Sequence, residues 1–207
     1  MTHAPASRRS TTMRKRLSLA AGAVAATSVL LLAGCTGTSS TAPSTTPDTS
    51  LLAEHNLNGL DAREIIERLD ALPIADRPDD LIASIQPDQL VLTDQQENET
   101  TLPMPADEFY VSVAPYAEQT HECYFHSLTT CLGELGNTDV QVTVTDTATG
   151  ETVLEDTLTT YDNGFVGLWL PRDIDATLTV TANGRTATQM ISTRADDPTC
   201  LTTLHLT

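Results

Sequence analysis

Apolar residues follow three rhythms along this chain. Residues 17–33 form one uncharged run of apolar and small side chains. From about residue 53 the period is helical: in LDAREIIERLDAL, Ala62, Ile65, Ile66 and Leu69 recur at the spacing of one helix face. Asp61 with Glu64 three places on makes a capping box, and Leu60 can close on Ile65 as a hydrophobic staple. A second, shorter helical piece is expected from Pro78, carrying Leu81, Ile82 and Ile85. Beyond residue 108 the period becomes two. Phe109, Val111 and Val113 alternate with other residues, and Val140, Val142 and Val144 alternate with Gln or Thr, which predicts strands with one buried face.

Turn chemistry divides this last region. TATGE leads into a strand at 152–159, and DNG at 162–164 leads into FVGLWL. Asn183-Gly184 joins Leu178–Thr181 to Arg185–Ser192 as a tight hairpin, because both turn residues accept left-handed torsions. Residues 200–206 supply a last strand. The fold class is therefore α+β, mostly β: a small N-terminal helical segment, then an antiparallel β-sandwich-like C-terminal domain of the immunoglobulin-like sort. We place the boundaries at 53–105 and 106–207. The first of these is too short and too poor in aromatics for a large core of its own, so it should pack on the following domain or another subunit.

The front of the chain reads as an address. Arg8, Arg9, Arg14, Lys15 and Arg16 precede the apolar run, and Leu32-Ala33-Gly34-Cys35 ends it. Residues 1–34 have the order of a secretory signal, and their ending resembles a bacterial lipobox, with cleavage before Cys35 and lipidation of that residue. Residues 36–50 are almost all Thr, Ser and Pro, so 35–52 reads as a lipidated cysteine and disordered tether. The expected location is the outer face of the cell membrane.

Charge then excludes whole classes of partner. The full chain carries −17; five of its 11 Lys and Arg precede residue 17, and all 28 Asp and Glu follow Cys35, so the processed chain stands at 6 − 28, or −22. Such a surface repels nucleic acid and anionic lipid.

What remains is ligand chemistry. Of four cysteines, lipidation of Cys35 would leave Cys123, Cys131 and Cys200, an odd number that cannot all pair within one chain. HECYFHSLTTC, residues 121–131, gathers two of these cysteines with two histidines. The spacing allows a Cys123–Cys131 disulfide, and it equally allows both thiolates to meet Cys200 around one ion. Three soft thiolates favour Cu(I) or Zn(II), and adding His126 gives a set suited to zinc. His121 is a loop residue, His205 is expected to face solvent, Met104 and Met190 to fill the core, and Tyr124, Phe125 and Trp169 to lie inside. The chain has no glycine-rich phosphate loop, no Gly-x-Ser-x-Gly and no Cys-x-x-Cys, so no enzyme signature stands out. A thiol redox protein and a disulfide-stapled surface-binding module stay open beside a metal carrier.

THECYFHSLTTCLGEL, DNGFVGLWLPRDIDATLTV and the terminal DDPTCLTTLHL together closely resemble the CueP family of periplasmic copper-binding, copper-resistance proteins, across roughly residues 55–207. The resemblance implies a two-domain protein that tends to dimerise, and Cu(I) binding by Cys123, Cys131 and Cys200, whose thiolates can reduce Cu(II). It also implies a part in copper tolerance and delivery to a secreted Cu/Zn superoxide dismutase or another cuproprotein. The lipobox and tether depart from the family's ordinary signal, which suggests a cell without a closed periplasm.

Overall fold

The computed structural model describes residues 49–207; the basic leader, the lipobox and Cys35 lie outside that range. Helix α1 (Thr49–Glu54) precedes α2 (Ala62–Asp70), which begins as its sequence requires. The Asp61 side chain accepts from the Glu64 backbone N–H at 2.9 Å, and Glu64 accepts from the Asp61 N–H at 2.9 Å. Ala62, Ile65, Ile66 and Leu69 form its buried face. Among the described residues no helix is long and apolar enough to cross a membrane.

After a single 3-10 turn the chain departs from expectation. The segment read as a second helical piece is strand β1 (Leu81–Ile85), which pairs antiparallel with β2 (Gln89–Asp94), itself paired with β3 (Glu99–Pro103). The inward residues of β1 are Leu81, Ala83 and Ile85, a period of two. Ala83 hid that period, since alanine marks neither face clearly, and Ile82 is in fact exposed. The N-terminal region is thus part helix, part three-stranded meander. Its core joins Leu51, Leu57, Ile65 and Ile66 to Ile85, Leu90 and Leu92, and also takes in Tyr110 and Leu128 from farther along the chain.

The rest is a two-layer β-structure. One sheet has the order β10-β4-β7, built from β4 (Glu108–Val113), β7 (Val166–Pro171) and β10 (Cys200–Leu201). The other has the order β6-β5-β8-β9, from β5 (Asp139–Asp146), β6 (Thr152–Thr159), β8 (Asp175–Ala182) and β9 (Arg185–Ser192). Phe109, Val111, Leu168 and Leu170 of the first meet Val140, Val142, Leu178 and Val180 of the second in one apolar core. The β8–β9 hairpin turns at Asn183 and Gly184, with φ of 52° and 74°, the torsions an Asn-Gly turn needs. Two details differ from a purely antiparallel sandwich: β10 lies parallel to β4, and the predicted last strand shortens to two residues followed by an isolated bridge between Tyr116 and His205.

Between β4 and β5 runs a long loop, residues 114–138. Backbone bonds pin it to three separate elements: Ile85 N–H donates to His126 O at 2.8 Å, Leu128 N–H to Ala83 O at 2.9 Å, Thr199 N–H to Tyr124 O at 3.0 Å, and Gly133 N–H to Asn163 O at 2.6 Å. The last contact needs glycine on both sides, since a Cβ on Gly133 would lie 2.7 Å from the Gly164 carbonyl oxygen and Gly164 has φ of +80°.

Candidate metal centre

The pinned loop carries Cys123 and Cys131 to the start of β10, where Cys200 is buried. Cys123 and Cys200 form a disulfide with a Cα–Cα distance of 5.7 Å. The Cys123–Cys131 bridge that spacing allowed is therefore not the one formed. Loop closure toward β10 brings the distant cysteine nearer, and Cys131 keeps a free, half-buried thiol 3.6 Å from the Cys123 sulfur. The three cysteines thus meet in one place.

Two histidines flank them unequally. His121 is exposed and shares a ligand-sized neighbourhood with Cys123 and Cys131; His126, fully buried, shares one with Cys131 and Cys200, the donor atoms in each trio lying within 4.8 Å of one another. His126 Nδ1 stands 3.8 Å from the Cys200 sulfur. Phe165, fully buried, forms an apolar floor, with its ring centroid 4.5 Å from that of His126 and 6.2 Å from that of His121. Such a dry backing limits water access to the sulfurs.

The remaining candidates separate cleanly. His205 lies apart, exposed, stacked on Tyr116 and bonded to Ala117 O at 3.1 Å, as its alternation with leucines predicted. Met104 is in the N-terminal core, but Met190 is 60 % exposed on β9, because it falls on the outward phase of an edge strand. Tyr124 and Phe125 also correct the expectation of burial: they are 54 % and 38 % exposed and pack edge-to-face on each other beside the sulfurs. Trp169 is half-buried and carries the Arg63 guanidinium 4.0 Å over its ring.

Behind the sulfurs lies a buried polar network that motif reasoning missed. Asp70, the last residue of α2, receives the Tyr110 hydroxyl at 2.6 Å and the Asn163 amide at 2.9 Å, and faces His126 Nε2 at 3.3 Å. Burial alone would push the Asp70 carboxyl up; the hydrogen bond and charge of His126, then Tyr110 and Asn163, outweigh it and hold the group below the usual carboxylate range. Burial also opposes charge on His126, yet Asp70 and Cys131 together raise its affinity for a proton. A signal for Asp70 existed: it stands four residues after Ile66, on the apolar face of α2.

Cys131 is tuned by the same surroundings. Burial would raise its thiol, but the hydrogen bond and charge of His126, the Ser127 N–H 3.4 Å from its sulfur, and Arg77 lower it below an ordinary thiol. Arg77 donates to the Cys131 carbonyl at 2.8 Å, and its other guanidinium nitrogens are buried without hydrogen-bond partners among the described residues. A thiolate at this position is both a nucleophile and a soft-metal ligand.

With the disulfide reduced, three sulfurs and an imidazole from the 114–138 loop and the start of β10 would offer a donor set suited to soft metal ions. Residues 64–205 match the family described as periplasmic copper-binding protein CueP. A solved structure titled "Crystal Structure of S.CueP" is 41 % identical, with a TM-score of 0.72, over 77 % of this chain and 96 % of that one. No curated protein matches. The chain belongs to the CueP family of periplasmic copper-binding proteins.

Proposed function

We propose that this protein holds Cu(I) at Cys123, Cys131 and Cys200, with His126 as an additional donor, and so protects the extracytoplasmic face of its cell from copper. The observation that carries the reading is the convergence of those four side chains, from two distant stretches of sequence, in a member of a copper-binding family. Soft sulfur matches Cu(I), whereas Cu(II) prefers nitrogen and oxygen in tetragonal arrangements. With Cys123 and Cys200 joined, two of the three thiolates are absent, so the site has a closed, oxidised form and an open, reduced form. Passage between them balances with copper: forming the disulfide from two thiols releases two electrons and two protons, enough to reduce two Cu(II) to two Cu(I).

Lipid attachment at Cys35 would keep the protein at the membrane, and delivery to a secreted Cu/Zn superoxide dismutase or another cuproprotein would give the bound ion an exit. Zinc is the competing ion for a Cys₃His set. A thiol redox protein is the second reading, favoured by the free Cys131 thiol lying 3.6 Å from a disulfide sulfur; sustained Cu(II) reduction with an added electron donor would distinguish it from one stoichiometric burst. The test of the copper reading is an anaerobic Cu(I) titration of reduced protein against a chromogenic competitor. Each of Cys123→Ser, Cys131→Ser and Cys200→Ser should weaken binding by about a hundredfold, about 2.8 kcal/mol. Full affinity in all three variants would overturn the reading.

A further inference from the structure

Asp70 is out of place by every local rule. A carboxylate at the last position of a helix meets the negative end of the helix dipole, and a buried one loses its hydration besides. Asp70 does both, closing α2 with no exposed surface. Two other elements direct buried polar groups at it. Tyr110 of β4 reaches Oδ2 at 2.6 Å, and Asn163 of the β6–β7 turn reaches Oδ1 at 2.9 Å. Strand β7 makes room for that reach: a Cβ on Gly167 would overlap the Tyr110 hydroxyl. Asn163 is held in turn, its own Oδ1 accepting from the Phe165 N–H at 2.8 Å.

The carboxylate so fixed faces one edge of the His126 ring. Nε2 lies 3.3 Å from Asp70 Oδ1, while Nδ1, on the ring's other side, lies 3.8 Å from the Cys200 sulfur. The backbone of His126 is clamped independently, its N–H to Thr199 Oγ1 at 3.1 Å and its carbonyl to the Ile85 N–H at 2.8 Å. A carboxylate accepts but cannot donate, so a neutral ring beside it carries its proton on Nε2 and leaves the Nδ1 lone pair directed at the sulfurs.

We propose that Asp70 is a positioning residue for the metal centre: through the Tyr110–Asp70–His126 chain it holds His126 as the Nε2–H tautomer with Nδ1 presented as a donor beside Cys131 and Cys200. This rests on the reading of the cluster as a copper site. It gives the N-terminal region a share in that site, because α2 supplies the carboxylate while the loop and β10 supply the ligands. Outer carboxylates that orient a ligating histidine change metal affinity by about 10- to 100-fold when removed.

The test has one arm without metal and one with it. In ¹⁵N-imidazole spectra of the metal-free full chain, taken at alkaline pH where the ring is neutral, His126 is expected to be the Nε2–H tautomer. An Nδ1–H tautomer overturns the proposal. In the reduced protein, Asp70→Asn should weaken Cu(I) binding about 10- to 100-fold and cause no further loss once His126→Ala is present. An equal loss in the His126→Ala background would mean that Asp70 acts only on the fold, and would overturn the proposal. Tyr110→Phe frees one carboxylate oxygen without removing the charge, and it should give a smaller loss that also vanishes with His126→Ala; should Asp70→Asn not fold, this variant decides in the same way. Failure of the copper reading itself is seen separately, as reduced wild-type protein that retains no Cu(I) whatever the tautomer.

Discussion

The β8–β9 hairpin and the 114–138 loop solve opposite problems. In the hairpin every second residue of β8 faces the core, from Ala176 through Leu178 and Val180 to Ala182, and the outward threonines pair across the strands, Thr179 with Thr188 at 3.1 Å and Thr181 with Thr186 at 2.9 Å. The loop has no such period. It buries His126 and Leu128, leaves Tyr124 and Phe125 in solvent, and takes its shape from bonds to β1, to the β6–β7 turn and to the residues just before β10. Repetition stabilises a frame that any residue of the right polarity will serve. Specific tethering holds a few chemically particular side chains where no repeat would place them.

If that contrast is right, damage to the two regions should separate stability from metal binding. Leu178→Ala removes a fully buried core side chain and should cost about 2–5 kcal/mol of stability, read by denaturant unfolding, while the folded fraction keeps its Cu(I) affinity. A fall in affinity to match would break the comparison. Gly133→Ala acts on the loop side. Its Cβ would press on the Gly164 carbonyl and, at 3.1 Å, on Ala114, so about 1–3 kcal/mol of strain is expected, together with weaker Cu(I) binding as Cys131, two residues earlier, shifts. Unchanged affinity in a strained Gly133→Ala protein would show that the loop tolerates displacement.

A smaller effect sharpens the comparison at a single atom. In the disulfide form, Cys131 is the free thiol among the described residues, and the hydrogen bond and charge of His126, the Ser127 N–H and Arg77 overcome its burial to favour the thiolate. A lowered thiol pKa means more thiolate at neutral pH, so alkylation of Cys131 should reach half its maximal rate at a lower pH than an ordinary cysteine, near 8.5. His126→Ala should move that midpoint upward. A midpoint at or above the ordinary value in the unaltered protein would count against the tuning.

The same contrast explains what could be read from the sequence. Strands β4 to β9 were legible because alternation and turn residues act locally: Val140, Val142 and Val144 mark one face, and Asn183-Gly184 fixes a hairpin. β1 was misread because Ala83 and Ser84 carry almost no polarity contrast, so Leu81, Ile82 and Ile85 mimicked a helix face. As candidate ligands, the three cysteines were legible by count and chemistry. Their pairing was not, since Cys123 and Cys200 are 77 residues apart and meet through tertiary folding. Asp70, Arg77, Tyr110 and Asn163 were missed for the same reason: each belongs to a different element, and only the assembled fold brings them behind His126 and Cys131. Residue 70 alone offered a local clue, an acid on the buried face of an amphipathic helix.

On the proposed reading, Cys123, Cys131 and Cys200 are one site in two redox states. The direct measurement is a paired anaerobic Cu(I) titration of a single preparation, fully reduced in one half and carrying the mass-mapped Cys123–Cys200 disulfide in the other. The reduced half should bind Cu(I) at least about a hundredfold more tightly, about 2.8 kcal/mol. Equal affinity in the two halves would contradict the claim that these sulfurs hold the metal.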